Sequence, residues 1–104
     1  MAMQIRVADN GGGVILQVRG EVDLYSSPEL RAAIINAMKG DGDIGLDLSG
    51  VAYMDSSGVA TLVEGFKAAS DKQRSFVLVA PSKSVIKILQ LARLDSVFEI
   101  RDSL

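Results

Sequence analysis

The sequence predicts an α/β domain, a mixed β-sheet with helices packed on it, in the order β-β-α-β-α-β-α-β. Three features of the chain carry this. Apolar residues alternate at period two near the start, three later stretches space them as a helix does, and short apolar runs bounded by turn residues lie between. The 104 residues make one domain, 1–104, and 48% apolar with 23% charged residues is a globular mixture rather than a disordered one.

Met3 to Val7 alternate apolar and polar as a half-buried strand does, and Asn10-Gly11-Gly12-Gly13 breaks the pattern at a reversal. Val14, Leu16 and Val18 resume it, giving a hairpin. Ser26-Ser27-Pro28-Glu29 carries a capping-box spacing, with a proline suited to a first turn. Leu30, Ala33, Ile34, Ala37 and Met38 then form one apolar helical stripe, ended by Gly40-Asp41-Gly42-Asp43. Ile44, Leu46 and Leu48 predict a third strand; Val59, Leu62, Val63 and Phe66 a second helix; and the unbroken Phe76-Val77-Leu78-Val79 a buried strand. Ser82 caps a third helix bearing Val85, Ile86, Leu89 and Ala92, and Val97 to Ile100 predict a short edge strand. Strands joined through helices should run parallel, the opening pair antiparallel. The alternation in the third strand predicts helices mainly on one face.

Net charge is −2, with neither Cys nor His. This argues against a nucleic-acid surface and excludes thiolate metal sites, disulfides, and Ser-His-Asp or Cys-His catalysis within the chain. No cofactor is expected. Without a visible leader or apolar span, a cytoplasmic protein with no membrane insertion is expected. Gly11-Gly12-Gly13 reads as a turn because no helix or Lys-Ser/Thr follows. Ser84-Val85-Ile86-Lys87 matches a penicillin-enzyme spelling without its companions. Lys83, Lys87 and Arg93 read as a solvated helix face or as guidance toward an acidic partner.

The segment Leu48 to Val59 links a parallel strand to an amphipathic helix, at the sheet edge where partners meet open α/β folds. Asp55, Ser56, Ser57 and Gly58 suit ordinary helix capping. The same place suits phosphate, because free N–H groups and the positive end of the helix dipole point outward there. Tyr25 and Tyr53 flank the acidic turns and suit an interface rim, while Met54 reads as core.

Two segments, Gly20-Glu21-Val22-Asp23-Leu24-Tyr25-Ser26-Ser27-Pro28-Glu29-Leu30 and Asp47 to Gly58, taken at this spacing, resemble the STAS domain, specifically the stand-alone anti-sigma factor antagonists of bacteria. The resemblance covers nearly the whole chain. It implies a non-catalytic partner switch: the antagonist binds an anti-sigma factor that is also a serine protein kinase, and phosphorylation ends the complex. A serine phosphatase resets it. By the same resemblance Ser56 is the phosphoacceptor and Ser57 its neighbouring hydroxyl. Asp23 is the acidic neighbour, and Asp55 and Gly58 complete the turn. Tyr25, Ser26 and Tyr53 lie in the partner-binding surround, and any nucleotide belongs to the kinase. The alternative that the resemblance leaves open is a STAS subunit of a lipid-trafficking membrane ABC transporter, in which the same turn would dock on the transporter. The chain departs from the usual family pattern at Gly58-Val59-Ala60-Thr61, at Lys72-Gln73-Arg74-Ser75 and at Ala92-Arg93-Leu94.

Overall fold

A computed structural model describes residues 2–103. Its elements follow the expected order: β1 Gln4–Asn10, β2 Gly13–Val22, α1 Ser27–Ala37, β3 Ile44–Met54, α2 Ser56–Asp71, β4 Phe76–Val79, α3 Lys83–Leu91 and β5 Glu99–Arg101. The strands form one sheet in the order β1-β2-β3-β4-β5, with β1 antiparallel to β2 and every later pair parallel. Gly11 and Gly12 close the β1–β2 hairpin at φ of 58° and 95°. Two successive residues at positive φ match the right-handed twist of the flanking strands, and glycine adopts that conformation without a Cβ clash.

From β2 onward each new strand is added on the same side of the last, so crossovers of one hand lay all three helices on one face. The core confirms this arrangement. Leu16, Val18, Leu46, Leu48 and Leu78 from the sheet share a single buried cluster with Leu30 and Ile34 of α1, Leu62 of α2, and Val85 and Leu89 of α3. The register places Arg6, Gln17, Asp47 and Val79 together on the opposite, helix-free face. The expectation of one-sided cover therefore holds.

Two expectations change. The third strand does not stop near Leu48. It continues to Met54 because the end of β2 pairs with it, Gly20 opposite Val51 and Val22 opposite Met54, across two register shifts. What reads as a long connection is thus mostly strand. The capping box at Ser26 is also overturned: Ser26 occupies the N-cap position with helical backbone angles and makes no side-chain cap. Its hydroxyl turns back instead, toward Glu21 O at 2.9 Å and Asp23 Oδ1 at 3.1 Å. Ser82 does cap α3, accepting from Val85 N at 3.3 Å while donating to Val51 O at 2.6 Å.

The segment Lys72-Gln73-Arg74-Ser75 has a definite structural role. Lys72 Nζ donates to Met38 O at 2.9 Å, and Arg74 Nη1 and Nε donate to Ala37 O at 3.2 Å and Gly42 O at 2.6 Å. These cations satisfy carbonyls at and just beyond the end of α1, which has no basic residue in its own last turn. Gln73 and Arg93 adopt φ of 57° and 60°, left-handed positions just past α2 and α3 where glycine is the usual occupant.

Candidate functional site

The site forms where β2 and β3 end side by side. Asp55 N donates to Val22 O at 3.1 Å, which joins the two segments before the chain turns into α2. Asp55 is the N-cap in extended conformation. Its Oδ1 accepts from Ser57 N at 2.9 Å, Gly58 N at 3.3 Å and Ser57 Oγ at 2.5 Å. These bonds satisfy N–H groups that a helix start leaves without partners. The Asp55 carboxyl is held below its ordinary pKa. The hydrogen bond from the Ser57 hydroxyl is the largest cause, and the N–H groups of Gly58, Ser57 and Leu24 add to it against the opposing effect of burial.

Ser56 is the first residue of α2 and is exposed. No hydrogen bond among the described residues engages its hydroxyl. Ser57 is half-buried and tied to Asp55, and its carbonyl accepts from Thr61 Oγ1 at 2.9 Å. Gly58 is buried against the strand ends.

The other segment is a compact turn built on Asp23. Asp23 Oδ1 accepts from Tyr25 N and Ser26 N, both at 3.0 Å, while Ser26 Oγ accepts from Asp23 N at 2.9 Å. The Asp23 carboxylate therefore serves its own turn. Shaped this way, the turn turns Leu24 and Tyr25 outward at 68% and 91% exposure, with Tyr53 at 49% on the neighbouring strand end. Met54 is core, as its pattern suggests.

The structure thus brings Asp55, Ser56, Ser57 and Gly58 to the same sheet edge as the turn carrying Asp23, Tyr25 and Ser26. Sequence reasoning passed over Leu24. Its signal was an apolar residue in an acidic turn that no strand or helix period claims. Residues 20–30 and 47–60 hold Glu21, Asp23, Glu29, Asp47 and Asp55 but no Lys or Arg. Among the described residues there is no group of His, Cys, Asp or Glu suited to a metal ion, and no helix is long and apolar enough to cross a membrane.

Comparison with known proteins agrees with this architecture. The STAS domain profile matches residues 4–104. The anti-sigma-B factor antagonist of Bacillus subtilis is 28% identical over 100 residues, covering 96% of this chain and 92% of that protein. Its Listeria monocytogenes counterpart is 30% identical over 86 residues, covering 82% and 75%. Among solved structures, an anti-sigma factor antagonist from Mycobacterium paratuberculosis superposes with a TM-score of 0.89 at 25% identity, covering 99% of this chain and 88% of that one. A Thermotoga maritima protein described as a putative anti-sigma factor antagonist gives 0.88 at 26%, covering 96% and 87%. A STAS domain fills the chain, the relatives just named are antagonists of this kind, and the chain belongs to the STAS family of anti-sigma factor antagonists.

Proposed function

We propose that the protein works by partner switching: its unmodified form binds an anti-sigma factor with serine kinase activity, and phosphorylation of Ser56 ends the complex. The observation that carries this reading is the position of Ser56, exposed and unbonded at the first residue of α2, beside the outward-facing Leu24, Tyr25 and Tyr53. A partner seated on those side chains covers Ser56.

The physics of the switch follows from where the charge arrives. Phosphorylation adds roughly 1.5 to 2 negative charges at neutral pH. Within the free chain the start of α2 favours them by about 0.3–1 kcal/mol. No cation in the two segments is placed to clamp the group, so it stays at the surface, next to Asp55. In a complex the same group must be desolvated beside acidic neighbours, and like unit charges ~4 Å apart near a surface repel by about 4 kcal/mol. The interfacial cost exceeds the gain within the monomer, so modification releases the partner and leaves the fold intact. A serine phosphatase then restores the binding form.

The test is capture of partners from cells with tagged wild-type and Ser56→Ala chains, followed by incubation with ATP and phosphosite mapping. The expected result is recovery of an anti-sigma factor kinase, release from the wild-type chain on adding ATP, and retention by Ser56→Ala. Recovery of a membrane permease and its ATPase instead, with no phosphate on Ser56, would replace the switch with the transporter role.

A further inference from the structure

We infer that Asp55 withholds Ser57 from modification, so that the paired serines of the turn offer a single acceptor. The inference rests on the phosphorylation reading above and adds what selects between two adjacent hydroxyls. In the transfer, a serine Oγ attacks the terminal phosphorus of a nucleoside triphosphate. The new O–P bond forms as the bond to the bridging oxygen breaks, the nucleoside diphosphate leaves, and the hydroxyl proton passes to a base on the kinase. The acceptor must therefore be free to turn toward a donor arriving from outside.

Ser56 meets that requirement and Ser57 does not. The Ser57 hydroxyl donates to Asp55 Oδ1 at 2.5 Å, and its own N–H bonds the same oxygen at 2.9 Å. Its carbonyl is held by the buried Thr61. A hydrogen bond to a charged group of this kind biases the hydroxyl by roughly ten- to a hundredfold toward its bound position. Asp55 is also a poor base for activating Ser57: its carboxylate already receives the N–H groups of Ser57 and Gly58 and is stabilised as the anion. The contact that caps the helix therefore also keeps the second serine out of the reaction.

Two measurements decide this. In the isolated wild-type chain, NMR should show a Ser57 hydroxyl proton exchanging with water at least about tenfold more slowly than that of Ser56, given a hydrogen bond of this type. Equal exchange would overturn the inference and leave the phosphorylation reading untouched. The second measurement maps phosphate after incubation with ATP and the copurifying serine kinase. Wild type should carry it on Ser56, Ser56→Ala should stay unmodified, and Asp55→Gly combined with Ser56→Ala should accept it on Ser57. Glycine is tolerated at an N-cap, which keeps that variant interpretable. Phosphate on Ser57 of Ser56→Ala at the wild-type rate, or none on a folded double variant, overturns the inference. A wild-type chain that is never phosphorylated removes the underlying reading and the inference with it.

Discussion

Gly58 sits so close to Met54 that a methyl group on its Cα would meet Met54 Cγ at 2.6 Å. Val22 Cγ1 would lie at 2.9 Å from the same methyl, so the first turn of α2 rests directly on the ends of β2 and β3. Met54 and Val22 are buried at 3% and 0% exposure and have little room to yield. Gly58→Ala is therefore expected to destabilise the domain by about 1–3 kcal/mol through overpacking, more than alanine returns in helix propensity within a first turn. Urea unfolding should show a lower midpoint at unchanged slope. An unchanged midpoint would mean that Met54 moves aside.

The pH dependence of stability should carry the mark of Asp55. Its carboxyl is depressed in the folded chain, chiefly by Ser57, so its contribution is present above the unfolded value of about 3.9 and lost as pH falls through the folded value. Asp55→Asn keeps an N-cap but cannot titrate. Stability measured from neutral pH into acid should fall less steeply below about pH 4 for the variant, the two curves converging. Parallel curves would show that the carboxyl is not perturbed by folding.

Ser56→Asp separates folding from docking. A carboxylate at the first residue of α2 is expected to leave stability unchanged or raise it by about 0.3–1 kcal/mol. Partner affinity should drop by at least about tenfold, the equivalent of ~1.4 kcal/mol. Calorimetric binding alongside thermal unfolding checks both, and a variant that binds as wild type does would count against the switch.

Leu24 and Tyr25 should act as anchors. They are exposed and belong to a turn held by the Asp23 carboxylate, which accepts from the Tyr25 and Ser26 N–H groups, so truncating either leaves the core alone. Tyr25→Ala is expected to cost binding about 1–2 kcal/mol with stability within about 0.5 kcal/mol of wild type. Equal affinities for the variant and the parent would place the interface elsewhere.

Arg93 offers a gain rather than a loss. It holds φ of 60° just after α3, a conformation that costs a residue with a Cβ roughly 1–2 kcal/mol, whereas glycine gives back about 0.4–1 through the unfolded chain. Arg93→Gly should raise stability by up to about 1 kcal/mol, visible as a higher unfolding midpoint. A lower midpoint would show that the Arg93 side chain makes a compensating contact.

Most of the architecture was legible because it depends on local pattern. The period-two runs, the helical stripes, the glycine hairpin and the Ser82 cap each act within a few residues. The long β3 was not legible, since residues 49–54 are strand only through pairing with the end of β2, and Ser49 and Gly50 have little strand preference of their own. Ser26 misled for a related reason: its spacing to Glu29 fits a capping box, but the nearer backbone of the Asp23 turn claims its hydroxyl. At the site, the residue types pointed to the start of α2 and the family resemblance singled out Ser56, but the physical difference between Ser56 and Ser57 did not show in the sequence. It is set by which hydroxyl the Asp55 carboxylate can reach, a matter of rotamer and burial rather than order in the chain. The ties from Lys72 and Arg74 to the end of α1 likewise span more than thirty positions and leave no local trace.

Because every crossover passes on one side, the domain has a back as well as a working end. Arg6 is exposed there, on an edge strand two places from β3, and the chain contains no cysteine. A single thiol introduced as Arg6→Cys would accept a fluorophore or a surface linkage at one defined point. The protein could then be immobilised in a fixed orientation, with Ser56 facing the solution, and the coming and going of its partner followed in real time.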